Sequence, residues 1–351
     1  MPAARPLIVL KFGGTSVATA ARWEQIVEQV RARVPTHRVL LVVSALTQVS
    51  NLLESAVGEA LVEGSEPGPS VLDIAARHEA LGRELGLDEG AMAPVRALLG
   101  ELSRLLAGVR LTREASPRLR ARVMSFGELA SSQIGLAVLQ AAGLSAVRLD
   151  ARKLLRTTPR RGADAEANHL QAEVVTRQAP DELLPRFGDA DVAITQGFIA
   201  QDDQGHTCLL GRGGSDTSAA LLAALGGAER LEIWTDVHGM FTTDPRQLPG
   251  ARLIRRIGYR EAQELAAMGA KVLHPRCLEP VATFGIPVAI RNTLDPGGPG
   301  TLVADSEGGA PTLLAVVQRR GVSLVTISTL QMWGAPGFLA RVFAPFEELG
   351  I

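Results

Sequence analysis

Lys11 ends an apolar run and is followed by Phe12-Gly13-Gly14-Thr15-Ser16 within the stretch LKFGGTSVATAARW. A cation at a strand tip with glycines just beyond it suits a phosphoryl group in transfer. The lysine supplies a point charge, and the glycines leave backbone N–H groups open to an anion. The order is not that of the P-loop, where Lys follows the glycines, nor of the dinucleotide fingerprint, which carries no Lys. A second loop, Gly211-Arg212-Gly213-Gly214-Ser215-Asp216, opens an apolar helical stretch. A helix N-terminus with exposed N–H groups is a natural anion cradle.

Each feature also has a plainer reading. Gly13-Gly14 fits a tight turn, and Lys11 fits a solvated strand end. The second loop fits a hairpin turn followed by a helix capped by Ser215 or Asp216. Glu128, near the start of an apolar helix, fits a carboxylate that complements the helix dipole. His274 reads as a hydrogen bonder at a helix start, and His37, His206 and His238 as ordinary loop residues. The two glycine loops taken together favour phosphate.

The elements needed to hold these loops alternate along the chain. Leu7 to Phe12 and Arg38 to Val43 read as buried strands around a helix from Ala20 to Val34, a β-loop-α-β unit that implies parallel pairing. Asn51 to Leu111 is mostly helical, interrupted at Gly64 to Ser70, and a further helix is expected over Ala121 to Ala142. Strands are expected at Ala146 to Leu149, Val192 to Thr195, Thr207 to Leu210, Arg230 to Trp234 and Pro287 to Ile290. Helices are expected at Thr217 to Leu225, Glu261 to Met268 and His274 to Phe284. The pattern is α/β, with a mainly parallel open sheet and helices on both faces. Ligands in such a sheet sit outside the carboxyl ends of the strands. A Gly/Pro-rich stretch from Leu294 to Pro311 reads as a boundary in which Thr301 to Val303 pairs briefly. Strands at Leu313 to Val317 and Val322 to Thr329 and a helix from Phe338 to Leu349 are expected after it.

Composition narrows the field. The 351 residues are 46% hydrophobic and 21% charged with a formal net charge of −1, so nothing argues for a nucleic-acid or membrane partner. No apolar stretch reaches the ~20 residues that cross a bilayer. The two cysteines, Cys208 and Cys277, are far apart, and no Cys/His spacing of a zinc site is visible. A cytoplasmic setting is expected.

Four motifs, in order, resemble the aspartate kinases of the amino acid kinase family: VLKFGGTSVA at Val9 to Ala18, GRGGSDTSAALLAAL at Gly211 to Leu225, IWTDVHGMFTTDPR at Ile233 to Arg246, and MGAKVLHPR at Met268 to Arg276. The resemblance implies an amino-acid-kinase fold and phosphorylation of L-aspartate by ATP to 4-phospho-L-aspartate, the first step toward lysine, threonine and methionine. It implies that Lys11 and Asp216 are catalytic and that Gly13, Gly14, Ser44, Gly213 and Gly214 hold phosphates. Ser50, Glu128 and Arg212 would read aspartate, Glu128 at its ammonium and Arg212 at its α-carboxylate. Thr235, Asp236, Phe241, Arg246 and Lys271 would hold the nucleotide. Ser50 stands where the family more often has Thr, and Phe241 where it commonly has Tyr. Mg2+ would come with ATP through the phosphates, with no protein metal cage. The resemblance implies a catalytic domain over residues 1–303, then a linker and truncated ACT regulatory domain over 304–351. The segment from Val322 to Ile351 is most like lysine-regulated forms, including those fused to diaminopimelate decarboxylase. A homodimer is expected for the full-length protein, with the lysine effector site at ACT domains absent from this stretch. Other family phosphotransferases, acting on glutamate, acetylglutamate, carbamate or UMP, and a non-catalytic ligand-binding module are the alternatives. The latter predicts loss of Lys11 or Asp216, and both are present.

Overall fold

The computed structural model describes residues 5–62, 68–159, 162, 164–269, 272–305, 315–318, 323, 325–327 and 337–348. Its main sheet has eight strands: β1 (Leu7–Phe12), β2 (Arg38–Val43), β3 (Ala146–Arg148), β4 (Val192–Gln196), β5 (Arg230–Thr235), β6 (Arg256–Ile257), β7 (Val288–Asn292) and β8 (Thr301–Val303), in the order β6-β8-β7-β5-β1-β2-β4-β3. Among these pairings β7 with β8 is antiparallel and the others are parallel.

β1 is buried along its whole length, as its apolar run from Leu7 to Leu10 requires, and the burial extends to Lys11 and Phe12. Its side chains alternate between two cores. Leu7 and Val9 join Leu40, Val42, Leu231 and the helix Gly214–Gly226 in one. Ile8, Leu10 and Phe12 join Val39, Leu41, Val43 and the helix Ala20–Arg33 in the other. Each such aliphatic side chain contributes roughly 1.5–3 kcal/mol when buried. The period of two puts Lys11 on the same face as Leu7 and Val9, toward the helix Gly214–Gly226.

From β1 the chain moves to β2 on one side, and β5 lies on its other side. This reversal is a topological switch point, where open α/β sheets form a crevice beyond the strands' carboxyl ends.

Most expected elements are present within a few residues of their bounds. The helix expected over Ala121 to Ala142 is instead two helices, Pro117–Met124 and Phe126–Ala141, divided at Ser125. Ser116 caps the first by accepting from the Leu119 N–H, and Pro117 supplies the preset φ of a first helical position. His274 to Phe284 begins as a 3-10 turn at Pro275–Cys277 and becomes α-helical at Leu278–Thr283. The strands expected at Leu313 to Val317 and Val322 to Thr329 lie mostly outside the described residues. The chain divides into two units, Met1–Val317 and Gln318–Ile351. The second contains the helix Phe338–Glu348. No helix among the described residues is long and apolar enough to cross a membrane.

Candidate active site

Lys11 is 9% exposed, so it is not a solvated strand end. Its Nζ lies 2.6 Å from Asp216 Oδ1, in the first turn of the helix Gly214–Gly226. The pair joins the two glycine loops, and the strand's alternation explains why they meet. Gly14 is required by close approach: a Cβ there would stand 2.8 Å from the Ala45 carbonyl oxygen, in the loop after β2. Gly213 is required twice over. Its φ is +65°, and a Cβ would fall 2.2 Å from the Cβ and Cγ of His274. Gly213 is the N-cap of the helix, which begins at Gly214. Ser215 and Asp216 are therefore inside the first turn and not capping residues, which releases the Asp216 carboxylate to face Lys11.

Glu128 is also in a helix's first turn, that of Phe126–Ala141, but it is 3% exposed. Oε1 accepts a hydrogen bond from the Ala45 N–H at 3.2 Å, so the carboxylate serves the β2 loop as well as its own helix. Oε2 is buried without a hydrogen-bond partner among the described residues. Burial pushes the Glu128 carboxyl up to about 8, against the pull of the Ala45 N–H. A buried carboxylate with one oxygen unused is poised for a cation, and desolvation makes such a contact strong.

The other expected residues lie on the segment that follows β2, on the end of β5 and the segment after it, and on the second glycine loop. Ser44 is half-buried after β2, its N–H donating to the Phe12 carbonyl at 3.3 Å. Ser50 is half-buried in the first turn of the helix Val49–Leu61. Thr235 ends β5, its hydroxyl 3.2 Å from Asp236 Oδ1. Arg212 is exposed on the second glycine loop. Phe241 is half-buried and bridges to Leu253. Arg246 is turned toward solvent, its side chain 83% exposed and paired with Asp244 at 3.2 Å. Lys271 lies outside the described residues.

Several contacts at the site have no obvious signal in the sequence. Ser16 and Thr293 share a hydroxyl hydrogen bond of 3.0 Å, and the Thr293 N–H donates to the Thr235 carbonyl at 2.8 Å. These bonds tie the tips of β1, β5 and β7 together. Phe198 adopts φ +68°, uncommon for a residue with a Cβ, and its ring packs so closely that a Cβ on Gly214 would lie 2.6 Å from it. The ring thereby seats the second glycine loop. His274 accepts from the Arg276 N–H at 3.4 Å while packing over Gly213, consistent with a hydrogen bonder at a helix start. The nearby Cys277 thiol is fully buried, and burial pushes its pKa up, so it is inert.

A lysine–aspartate pair thus stands between two glycine loops at the switch point of a parallel sheet, and comparison with known proteins gives the class to which the chain belongs. The model of the amino acid kinase family matches residues 6–292. Lysine-sensitive aspartokinase 3 of Escherichia coli is 38% identical over 345 residues, covering 96% of this chain and 73% of the relative. Aspartokinase 1, chloroplastic, of Arabidopsis thaliana is 32% identical, covering 98% of this chain and 60% of its own length. The crystal structure of E. coli aspartokinase III with aspartate and ADP superposes with a TM-score of 0.83 at 36% identity, over 98% of this chain and 75% of that one. The same enzyme with lysine and aspartate gives 0.78, over 97% and 74%. The chain belongs to the amino acid kinase family, and within it to the aspartokinases.

Proposed function

We propose that this chain transfers the γ-phosphoryl group of ATP to the side-chain carboxylate of L-aspartate. A carboxylate oxygen bonds to the γ-phosphorus, the bond from phosphorus to the β,γ-bridging oxygen breaks, and ADP leaves with that electron pair. The products are 4-phospho-L-aspartate and ADP. The observation that carries the reading is the Lys11–Asp216 pair held between the glycine loops. Phosphoryl transfer asks the protein for positioning and charge rather than covalent help. Asp216 orients the Lys11 ammonium toward the charge that develops on the transferring group.

The remaining roles follow from place. Gly13, Gly14 and Gly213 offer backbone N–H groups and Ser44 its hydroxyl to the phosphates, while Gly214, whose own N–H donates to the Gly211 carbonyl at 3.0 Å, lines the loop beside them. Glu128 takes the substrate ammonium on Oε2, and Arg212 takes the α-carboxylate as a bidentate partner, a task suited to its planar fork. Ser50 contacts aspartate, and Thr235, Asp236, Phe241, Arg246 and Lys271 hold the nucleotide. Mg2+ fits here as a companion of ATP rather than a resident ion. Asp216 is engaged by Lys11 at 2.6 Å. The ion's chemistry is to bridge and neutralise the phosphates.

Residues 1–303 act as the catalytic domain, and 304–351 as a linker and an ACT regulatory segment. The enzyme works in the cytoplasm as a homodimer, with lysine as its effector.

The test is Lys11→Ala. Loss of an electrostatic donor of this kind costs ~100-fold or more in kcat. The assay is aspartate-dependent ADP release with hydroxylamine trapping of the acyl phosphate, run beside glutamate, acetylglutamate, carbamate and UMP. A folded variant with near-normal kcat, or a preference for another acceptor, overturns the reading.

A further inference from the structure

His169, Asp202 and His206 converge away from the phosphotransfer site. His169 is on the helix Ala165–Leu170, and Asp202 and His206 flank the turn between the strands Ile199–Gln201 and Thr207–Leu209. One ligand atom from each lies within 4.8 Å of the other two. His206 Nδ1 is 3.1 Å from Asp202 Oδ2, and His169 Nε2 is 4.0 Å from the same oxygen. A tetrahedral ion with ligands at ~2.0–2.1 Å sets its ligand atoms about 3.3 Å apart, so a small turn of the His169 ring closes the set.

The partners behind these atoms are arranged as a metal site needs. His169 Nδ1 donates to the Ala165 carbonyl at 2.9 Å, which leaves Nε2 as a bare acceptor facing the cluster. Asp202 Oδ1 accepts from the backbone N–H groups of Gln204 and His206 at 3.0 and 2.7 Å, which aims Oδ2 at the two imidazoles.

We propose that His169 Nε2, Asp202 Oδ2 and His206 Nδ1 form a site for a borderline divalent transition-metal ion such as Zn2+, distinct from the nucleotide's Mg2+. Two imidazoles and one carboxylate select such ions over Mg2+, which prefers oxygen ligands. The sequence carries no zinc spacing because His169 reaches the other two only through the fold.

Arg118 sets the terms of loading. Its Nη1 is 3.0 Å from His206 Nε2. With Nδ1–H donating to Asp202, Nε2 is the acceptor and Arg118 the donor. When Nδ1 bonds the ion, the ring proton moves through solvent from Nδ1 to Nε2. Nε2–H then faces a guanidinium, and Arg118, exposed on its helix, must leave. The loaded site ties the helix Ala165–Leu170 to the hairpin that runs into the second glycine loop. A Cβ on Gly211 would already lie 3.6 Å from the Leu170 carbonyl oxygen and 3.5 Å from Gln171 Cγ.

The test titrates the metal-free full chain with Co2+ and with Zn2+ under excess Mg2+, reading the visible Co2+ bands and the metal content after dialysis. One ion per chain is expected. His169→Gln and His206→Gln should each weaken binding by at least ~10-fold, and Arg118→Met should tighten it. Circular dichroism verifies the fold of each variant. No saturation at one equivalent, or an unchanged titration in a folded His169→Gln, overturns the proposal. Should both histidine variants fail to fold, Arg118→Met decides alone, and an affinity no tighter than that of the native chain overturns it.

Discussion

Glu128 and Glu232 are both buried carboxylates, yet they are treated in opposite ways. Glu232 is in the middle of β5 with no exposed surface. Its Oε2 accepts from Arg33 Nη2 at 2.6 Å and from Trp234 Nε1 at 3.2 Å, and its Oε1 from Arg230 Nη2 at 2.9 Å. Glu128 has one backbone N–H and an unused oxygen. A buried charge that is fully partnered belongs to the fold, whereas one left half-partnered is kept for something that arrives. That difference, rather than burial itself, separates a structural acid from a substrate-reading one.

The largest effect that sharpens this contrast is on recognition. Glu128→Gln keeps the shape and removes the charge that meets the substrate ammonium. Losing one partner of a buried charged contact costs about 2–5 kcal/mol, on the order of 30- to several-thousand-fold. The loss should appear in kcat/KM for aspartate, with ATP affinity nearly unchanged. Equal losses for both substrates would place Glu128 at the phosphates and break the comparison.

Glu232→Gln should do the reverse. It leaves Arg33 and Arg230 without their carboxylate and should cost about 3 kcal/mol of stability, the low end for a broken buried pair because Arg230 is partly in water. The urea midpoint measures it. KM for aspartate should not move, and a specific rise in KM would show that Glu232 is not purely structural.

Much of the fold was legible in the chain, and the reason is chemical. β1 and β2 are continuous apolar runs, β1 closed by glycines, and burial on both faces demands such runs. The lysine–glycine loop and the second glycine loop were legible because close backbone approach admits little but glycine. Other features were hidden. Ser125 divides a helix that periodicity alone reads as one, since apolar spacing continues across the break. The role of Gly213 as the cap depends on His274, far away in sequence. Residues alone left Glu128 as a dipole partner, because burial is a property of what packs around it. Phe198 carries a positive φ that its residue type does not announce. His206 read as an ordinary loop residue, because only the fold brings His169 of the helix Ala165–Leu170 to the hairpin that carries it.

A smaller effect tests Glu128 through pH. The kcat/KM profile reports groups of the free enzyme. Glu128, raised to about 8, must be ionised to take an ammonium, so kcat/KM for aspartate should fall roughly tenfold per unit as pH drops well below about 8. In Glu128→Gln this limb should vanish. The stability sign is fixed by the same shift. The folded pKa lies above the ordinary 4.5, so its contribution to stability is complete below that value and is lost as pH rises through about 8. Between those limits the aspartate-free native chain should lose stability relative to Glu128→Gln, and saturating aspartate should restore it. A parallel pH dependence of the two proteins would mean that Glu128 is not the titrating group.

The smallest effect divides the partners of Glu232. Arg33 is 15% exposed, also donates to the Gln29 carbonyl at 2.7 Å, and lies over the Trp234 ring at 5.5 Å. Arg230 is 34% exposed and approaches from the rim. Water already screens the outer pair, and a partly exposed ion pair contributes about 1 kcal/mol or less. Arg230→Gln should therefore lower Tm by only a few degrees. Arg33→Gln should cost more, because it removes the inner charge, the carbonyl contact and the face-on contact with the indole together. Thermal unfolding of the two variants beside Glu232→Gln orders the three. If Arg230→Gln costs as much as Glu232→Gln, the outer arginine holds the acid in place, and burial has ranked the partners wrongly.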